Sequence, residues 1–417
     1  KIFLLQEITD EKYEVLFGDN IFGKRLEDGN VITMSYVITN GDIANGVTNF
    51  TFSGRLVDNN DRVVTTGVSA ISVNNRSIGG GDIETVSSIR KYAPLKYAAQ
   101  NRAVTTQDYE VMTKQIFPDT ESVSAFGGEE LVPPQYGKVF IAIKPKGGSY
   151  LSNFVKSSII SDLKNFTVAG IVPQIIDLKY LYIEVDTNVY YNTNLFPSAS
   201  SLKTNIFESL EAYSKTSELN AYGSRLKYSK LLRVIDDTNS AITSNITTVR
   251  MRRDMRPSLN EFAEYEICFG NRFHVSGDAN IRTSGFLVEG YSGEVFLSDV
   301  PFSDEKTGTI DLIRLISASE KQILRRNVGT IDYIKGEILL RPIKIINTTK
   351  MESEFPIVEI EAYPYSNDVI GLQDQFLQLD ISKSNVTVIS DTISNGADIS
   401  GSRYTVSSSF TNDNITR

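Results

Sequence analysis

Residues 175–191 read IIDLKYLYIEVDTNVYY, and their apolar side chains occupy every second position. Such alternation puts the apolar residues on one face of an extended chain. The apolar face consists of Leu181, Ile183, Val185 and Val189. The opposite, more polar face consists of Tyr182, Glu184, Asp186 and Asn188. The pattern predicts a long strand, or a bent pair of strands, that is buried mainly on one side.

Helical patterns surround this strand. A capping box of Thr105 with Asp108 predicts the start of a helix that Pro118 prevents from continuing. Four apolar stripes at spacings of three and four predict four helices. The stripes are Tyr109, Met112 and Ile116; Ile159, Ile160, Leu163 and Phe166; Leu202, Ile206, Phe207 and Leu210; and Leu231, Leu232 and Ile235. With further strands expected at Val139–Ile143 and Thr247–Met251, the order predicts an α+β sandwich with helices on one face of a sheet.

The two ends of the chain have β character. Strands are predicted at Val31–Ile38 and Phe50–Phe52, between turns rich in Gly, Asn and Asp. Toward the C-terminus a hairpin is expected around Lys335-Gly336, and a helical turn near Asp311–Ile316. After Ser382 a Ser-, Thr- and Asn-rich tail keeps strand alternation at Val386 and Val388. We expect this tail to be a β edge completed by a neighbour, the alternative being a frayed end.

The fold class predicted from these patterns is multidomain α+β. A length of 417 residues suggests about three units at roughly 150 residues per domain. The expected organisation begins with a β-rich domain over 1–87 and a central α+β domain over 88–257. A second β-rich domain over 258–346 and a C-terminal β domain with the polar tail over 347–417 complete it. Because the sequence begins with Lys1, we expect it to be part of a longer polypeptide.

Bulk composition excludes several classes of protein. Hydrophobic residues make up 41% and charged residues 22%, which is ordinary for a globular chain. The formal net charge of -9 argues against broad binding to nucleic acid, because that needs a basic surface. Cys268, the single cysteine, cannot form an intrachain disulfide. No apolar run approaches the ~20 residues that span a bilayer, so no membrane partner is expected.

The sequence contains few residues that could form a catalytic site. His274 is the single histidine, and no nucleophile-elbow motif lies near it. Cys268 and His274 supply only two of the roughly four ligands that a zinc site needs. The acidic pairs Glu129-Glu130 and Asp236-Asp237 are adjacent in sequence, and adjacent side chains rarely converge on one substrate. We therefore predict no catalytic residues, no metal site, no cofactor and no small-molecule substrate, and a protein that is not an enzyme.

One basic cluster is present, at Arg250, Arg252, Arg253 and Arg256. On a strand Arg250 and Arg252 share a face while Arg253 points away, which splits the cluster. Three interpretations are open: a solvated or internally paired face, a contact with an acidic protein partner, or a contact with nucleic acid. Arg250, Arg252 and Arg256 are the candidate interface residues.

Five stretches resemble the baseplate J-like family of contractile phage tails, and within it the T4-like baseplate wedge proteins that form a ring around the hub. They span much of the chain. The stretches are YEVLFGDNIFGKRLEDGNVITMSYVITNGDIANG at 13–46, YAPLKYAAQNRAVTTQDYEVM at 92–112, FGGEELVPPQYGKVFIAIKP at 126–145, YEICFGNRF at 265–273 and VGTIDYIKGEILL at 328–340.

The resemblance implies a structural component of a phage tail baseplate wedge. In that family the protein forms a homodimer within each wedge, and other wedge proteins and a sheath-initiating protein join it into a sixfold ring. The implied location is the virion, after assembly in the host cytoplasm. The family's N-terminal, partly helical clasp for wedge partners is expected to be missing from this chain, which begins with β segments.

An alternative function is a carbohydrate-binding or carbohydrate-cleaving tail module. The 20 tyrosines, together with Asn and Asp on β loops, favour it. The absence of tryptophan weakens it, because sugar platforms use aromatic faces. A nucleic-acid binder is a third hypothesis, which the net charge disfavours.

Overall fold

A computed structural model describes residues 86–391 apart from 132, 147–149, 217, 278, 318–319, 353–354 and 373. It also describes parts of 3–84 and the short segments 410–411 and 414–415. Within these residues, five α-helices combine with strands that form several separate sheets. The predicted α+β class with β-rich regions is confirmed.

The N-terminal region contains an antiparallel hairpin of β1 (Phe3–Ile8) and β2 (Lys12–Phe17). Val57 and Val63 form an isolated antiparallel bridge. The strand predicted at Val31–Ile38 is wrong, since none of its described residues, 31–36 and 38, belongs to a strand. Their apolar side chains are exposed, so alternation there is not coupled to burial within the chain. The strand predicted at Phe50–Phe52 lies outside the described residues.

Residues 86–176 fold around a three-stranded sheet in the order β3-β4-β5. β3 and β4 are antiparallel, whereas β4 and β5 are parallel. The helices and strands are α1 (Val86–Ala99), α2 (Thr106–Ile116), β3 (Thr120–Gly127), a 3₁₀ helix (Gly128–Glu130), β4 (Lys138–Pro145), α3 (Asn153–Leu163) and β5 (Val172–Ile176). Tyr109, Met112, Ile141 and Leu163 are buried in one hydrophobic cluster between α2, α3 and the sheet.

The predicted capping box of α2 is present. The Thr105 hydroxyl accepts a hydrogen bond from the Asp108 N–H at 3.2 Å, and the Asp108 carboxylate accepts one from the Thr105 N–H at 2.8 Å. The reciprocal bonds satisfy two backbone donors that a helix start leaves free. α2 ends at Ile116, two residues before Pro118, as predicted.

The alternating stretch around Leu181 forms β6 (Lys179–Tyr191), a long strand inside a seven-stranded sheet. β6 pairs with an antiparallel strand on one side and with two short parallel strands on the other. The following elements are α4 (Ala199–Ser214), β7 (Arg225–Leu226), α5 (Tyr228–Asp236) and β8 (Ile242–Met255). The buried stripes of α4 and α5 belong to the same cluster as Leu181, Ile183 and Val185, so both helices cover the predicted apolar face.

A six-stranded antiparallel sheet follows, in the order β11-β15-β14-β13-β12, with β9 paired to β15. These strands and β10 are β9 (Phe262–Cys268), β10 (Arg282–Thr283), β11 (Phe286–Val288), β12 (Phe296–Pro301), β13 (Thr307–Leu315), β14 (Lys321–Asp332) and β15 (Glu337–Thr348). The hairpin expected around Lys335-Gly336 joins β14 to β15 and is confirmed. The helical turn predicted near Asp311–Ile316 is wrong, because those residues lie largely in β13 and pair with β12 and β14.

After β15 the chain returns to the seven-stranded sheet. β17 pairs with β8, while β19 and β20 run parallel to β6. The remaining strands are β16 (Lys350–Glu352), β17 (Phe355–Ala362), β18 (Val369–Ile370), β19 (Gln375–Leu379), β20 (Asn385–Ser390), β21 (Phe410–Thr411) and β22 (Asn414–Ile415). The six-stranded sheet is therefore inserted between two neighbouring strands of the seven-stranded one.

One hydrophobic cluster joins the two larger sheets. It contains Leu181 and Val249 of the seven-stranded sheet together with Ile310 and Leu340 of the six-stranded sheet, all at most 2% exposed. The predicted domain boundaries at 87, 257 and 346 stay predictions. β8 lies before the predicted 258–346 domain and β17 lies after it, yet the two strands pair with each other.

Candidate interface around the arginine cluster

β8 carries Arg250 and Arg252 on the polar face of the seven-stranded sheet, next to β6. Arg250 lies opposite Glu184 in the strand register, and Arg252 lies opposite Tyr182. Sequence alternation had put Glu184 and Tyr182 on the same polar face, and these pairings agree with it. Paired strands bring such side chains to about 5 Å of one another, close enough for direct charge contacts.

Arg252 is buried, with a side chain that is 4% exposed. It donates to Glu184 Oε1 at 2.8 Å and to Asp380 Oδ2 at 3.0 Å. Its Nε lies 3.0 Å from Asp254 Oδ1, a charge contact that lacks hydrogen-bond alignment. The guanidinium also stacks over the Tyr182 ring at 4.4 Å. Three carboxylates and a ring thus surround this arginine.

Arg250 is more accessible and has three carboxylate neighbours of its own. Its side chain is 21% exposed and lies 3.1 Å from Glu184, 3.3 Å from Asp186 and 3.4 Å from Glu361. A guanidinium has five donors in a fixed fork and can bridge several carboxylates in this way.

Arg256 stands apart from these two residues. Its side chain is 39% exposed and lies 3.1 Å from Glu352. Its guanidinium sits 4.3 Å from the centre of the Tyr150 ring and 5.0 Å from that of Phe355. Of the three candidate interface residues, Arg256 has the most accessible side chain.

Arg253 occupies the opposite face of β8, as strand alternation predicts. Burial lowers the pKa of this guanidinium, with Asp374 and Cys268 acting in the other direction. The structure therefore brings Arg250 and Arg252 together and leaves Arg253 and Arg256 outside their network.

Acid groups outnumber bases in the network around Arg250 and Arg252. Its three cations, Arg250, Arg252 and Lys383, contact six carboxylates. The carboxylates are Glu184, Asp186, Asp254, Glu359, Glu361 and Asp380. An arginine already held by several carboxylates has little charge left for a partner. The geometry favours the internally paired interpretation of Arg250 and Arg252, and their role as interface residues stays a prediction.

Burial shifts the titration of the carboxylates in this network. It raises the pKa of Asp254 to about 6, although Arg252 acts in the opposite direction. It also raises the pKa of Glu184, and the nearby Glu361 adds to the effect. The energetic cost of the burial is offset by the arginines, whose removal would leave the acids unneutralised.

Sequence reasoning missed most members of this network. Glu184 and Asp186 were visible as polar-face residues, but nothing linked them to the arginines on β8. Asp380 and Lys383 come from a turn between β19 and β20, more than a hundred residues after β8. Only the parallel pairing of β19 and β20 with β6 brings that turn beside the arginines.

The other candidate groups have structural surroundings. The backbone N–H of His274 donates to the Tyr363 carbonyl at 3.0 Å, and the His274 backbone carbonyl accepts from the Asn280 side-chain amide at 2.7 Å. Cys268 is a half-buried free thiol. In the part of the chain that the structure describes, no three His, Cys, Asp or Glu side chains converge as metal ligands would.

In neither acidic pair do the two carboxylates converge on a shared cleft. Glu129 and Glu130 are exposed on the 3₁₀ helix. Asp236 accepts a hydrogen bond from Asn245 at 2.7 Å, whereas Asp237 follows α5 and pairs with Arg233 at 3.1 Å. These contacts are those of ordinary surface carboxylates.

A tyrosine-rich cluster lies inside the molecule and not on its surface. Tyr180, Tyr182 and Phe376 are each at most 9% exposed and pack with Tyr222. The Lys144 ammonium of β4 lies 5.5 Å from the Tyr180 ring centre. Because these rings are buried, they do not offer the flat platform that a sugar needs.

Two family models match adjacent parts of this chain. Residues 105–176 match C-terminal domain I of the baseplate structural protein gp6, and residues 179–254 match C-terminal domain III of the same protein. The first range covers α2 to β5, and the second covers β6 to β8. The boundary between the matches falls where the chain passes from the three-stranded to the seven-stranded sheet.

A known protein is similar to a longer part of this chain. The baseplate wedge protein gp6 of Enterobacteria phage T4 is 28% identical over 281 residues, which is 61% of this chain and 40% of that protein. This chain thus spans well under half of its relative's length. A cryo-EM structure of the anti-feeding prophage (AFP) baseplate aligns with 49% of this chain and 46% of its own, at 17% identity. Its TM-score of 0.31 is too low to support an inference.

The matched ranges point to one class of protein, the structural proteins of phage tail baseplates, and this chain is similar to members of that class. Within that class, the resemblance to the T4-like baseplate wedge proteins is confirmed, with gp6 of phage T4 as the relative found. The predicted location in the virion agrees with these matches. Among the described residues, no helix is long and apolar enough to cross a bilayer.

Proposed function

We propose that this chain forms a homodimer within the baseplate wedge and links neighbouring wedges into a ring around the hub. Its partners in this role are other wedge proteins and the sheath-initiating protein. The observation that carries the proposal is the match of two structural domains of gp6, its C-terminal domains I and III, to two consecutive folded regions of the chain. A protein built from such domains acts by presenting surfaces to neighbours.

Exposed apolar side chains in the N-terminal region support a role in assembly. Leu4, Leu5 and Tyr13 of the β1–β2 hairpin are more than 60% exposed, and Phe22 is 85% exposed. A two-stranded hairpin by itself is marginally stable in water. Large exposed apolar surfaces mark sites of protein contact. Burial of this hairpin against a neighbouring subunit would stabilise the hairpin and cover its exposed apolar side chains.

The proposal is tested by measuring the mass of the purified chain in solution. Light scattering over a range of concentrations is expected to show a species of about twice the chain mass of 46.4 kDa. The paired variant Leu4→Ser/Leu5→Ser, with Val300→Ser as an exposed apolar control elsewhere, tests whether the hairpin contributes. A mass that stays at one chain at high concentration would overturn the proposed dimer.

A further inference from the structure

The six-stranded sheet has an inner face on the hydrophobic cluster and an outer face that carries a groove. Ile331 and Ile338 are at most 2% exposed and belong to the cluster. Thr330 and Leu339, which alternate with them along β14 and β15, lie on the opposite, outer face. The groove has a volume of about 530 Å³, and both of these outer residues line it.

The strand register arranges the lining side chains in two adjacent rows across the sheet. One row contains Glu266, Leu339 and Thr330, and the next contains Glu337, Asp332 and Thr307. The rows cross β9, β15, β14 and β13, which is roughly 15 Å at the usual strand spacing. Phe302 extends the second row, since its N–H donates to the Thr307 carbonyl at 2.9 Å. The groove therefore has an acidic end and an apolar end.

The three carboxylates of the groove lie close enough to repel one another. Glu337 is directly opposite Asp332 in the pairing of β14 with β15. Like charges that are directly opposite on paired strands are destabilising. Glu266 is opposite Leu339 and thus diagonal to Glu337, a position within about 8 Å. A cation between these acids would relieve the repulsion.

The chain itself neutralises these acids only weakly. The Lys335 ammonium is 3.9 Å from Glu337 and its side chain is 67% exposed, so this ion pair contributes little. Asp332 Oδ1 accepts hydrogen bonds from the backbone N–H groups of Ile334 and Lys335, both at 2.9 Å. Glu266 is exposed and forms no ion pair with any residue that the structure describes. Three negative charges therefore share one weakly held cation.

The composition of the groove favours an organic cation over a metal ion. Within the described part of the chain, no three acidic side chains converge as metal ligands would. Apolar surface lies beside the acids, since Phe302 is 51% exposed and Leu339 is 42% exposed. A protein segment with Lys or Arg next to apolar residues matches both features. Five residues of extended chain span roughly 16 Å, which fits the length of the rows.

We propose that this groove binds an extended segment of a partner protein in which basic residues are followed by apolar ones. The inference rests on the proposed function, to which it adds one contact surface and the chemistry of its occupant. The Lys or Arg side chains of the segment bridge Asp332 and Glu337, and charge-assisted hydrogen bonds of this kind are the strong ones. The apolar side chains of the segment cover Leu339 and Phe302.

Three labelled peptides test the chemistry of the occupant by fluorescence anisotropy at low ionic strength. The first, Gly-Lys-Arg-Val-Leu-Phe-Gly, has a basic and an apolar half. Gly-Glu-Glu-Val-Leu-Phe-Gly replaces the basic half with acids, and Gly-Lys-Arg-Ser-Ser-Ser-Gly replaces the apolar half with serines. We expect the first peptide to bind, the acidic one not to bind, and the serine peptide to bind about tenfold more weakly, because it leaves the apolar surface exposed.

A pair of variants tests whether binding occurs in the groove. Glu266→Gln/Glu337→Gln removes two of the three charges and is expected to weaken binding of the first peptide about tenfold. Glu129→Gln/Glu130→Gln removes two exposed charges from the 3₁₀ helix and is expected to bind as wild type does. Thermal unfolding checks that both variants fold. The groove variant is expected to be at least as stable as wild type, because it loses the repulsion between Glu337 and Asp332.

Several results would refute the groove contact. They are no binding of the first peptide to wild type, equal binding of that peptide to both variants, and equal binding of the first peptide and the serine peptide. Light scattering of the same preparations measures the dimer separately. A dimer that fails to bind the peptide refutes the groove contact alone, whereas a monomer that binds it in the groove refutes the proposed dimer alone.

Discussion

At the scale of single residues, the arginines of β8 illustrate how position decides role. Arg252 is buried among Glu184, Asp254 and Asp380, while Arg325 and Arg326 on β14 are exposed. The residue type is the same in both places. Burial beside carboxylates converts an arginine into part of the structure, because an unpaired buried charge is costly. Exposure leaves it available to another molecule.

Replacing Arg252 is expected to destabilise the chain strongly. Arg252→Ala leaves the buried Glu184 and its neighbours without their nearest cation, at a cost of roughly 3–5 kcal/mol in free energy of unfolding. Arg233→Ala is the matched control, because it breaks an exposed pair with Asp237 that contributes at most about 1 kcal/mol. Urea denaturation of both variants measures the difference. Equal losses would contradict the internally paired interpretation of Arg252.

Asp254 gives the stability of the chain a dependence on pH. Its folded-state pKa of about 6 lies above the usual 3.8, so the folded chain binds this proton more tightly than the unfolded chain does. Through this group, the free energy of unfolding therefore falls as pH rises from about 4 to about 6. Asp254→Asn removes the effect. As pH rises from 4 to 7, the free energy of unfolding of the variant is expected to increase by roughly 1–3 kcal/mol relative to that of wild type.

Denaturant titrations at several pH values between 4 and 7 check this expectation. Asp237→Asn, a change at a carboxylate that is 69% exposed, is the matched control for the removal of one acidic charge. A difference between Asp254→Asn and wild type that stays constant over this pH range would show that burial of Asp254 does not perturb its titration.

At the scale of helices and strands, local signals predicted the elements that carry a clear start or stop. The capping box and Pro118 bound α2 correctly, and the apolar stripes located α3, α4 and α5. α1 was missed, because Pro94 within YAPLKYAA reads as a helix breaker. β13 was misread as a helical turn, since Leu312 and Ile313 are both buried and so mask the alternation of a strand.

The turn between β14 and β15 depends on Gly336. Its φ is +71°, and a Cβ added there would collide with the backbone of Asn271. Gly336→Ala therefore combines backbone strain with a steric clash, and we expect a loss of roughly 2–4 kcal/mol.

Gly290→Ala is the matched comparison for this turn. Gly290 has a φ of +87°, but no atom lies within 4 Å of an added Cβ. Only the backbone strain of roughly 1 kcal/mol is expected there. Thermal unfolding of the two variants separates clash from strain. A Gly336→Ala chain as stable as Gly290→Ala would mean that the Asn271 backbone moves aside easily.

At the scale of the whole molecule, the insertion of the six-stranded sheet decides which parts fold together. β6 needs β19 and β20 on one side and β8 on the other, and β8 needs β17. The hydrophobic cluster shared by the two larger sheets adds a second connection. Residues 179–391 are therefore expected to unfold as one cooperative unit.

Truncation tests this organisation. A fragment of residues 86–257 keeps β6 and β8 but loses β17, β19 and β20, so we expect its residues 179–257 to lack fixed tertiary packing. The fragment 86–391 retains every partner strand of β6 and β8 and is the control. Near-ultraviolet circular dichroism and amide hydrogen exchange of the two fragments distinguish the outcomes. Native-like protection of β6 in the shorter fragment would support the predicted boundary at 257.

The sequence by itself determined the class of fold, the face of β6 that is buried, the main helices and the resemblance to baseplate wedge proteins. These features follow from apolar side chains that recur every two or 3.6 residues and from short motifs. Both are set by residues that are close together in the sequence. Only the tertiary structure decided that β17, β19 and β20 complete the sheet of β6. It alone placed Asp380 beside Arg252. Such pairings join residues far apart in sequence, and their selection depends on the packing of the whole chain.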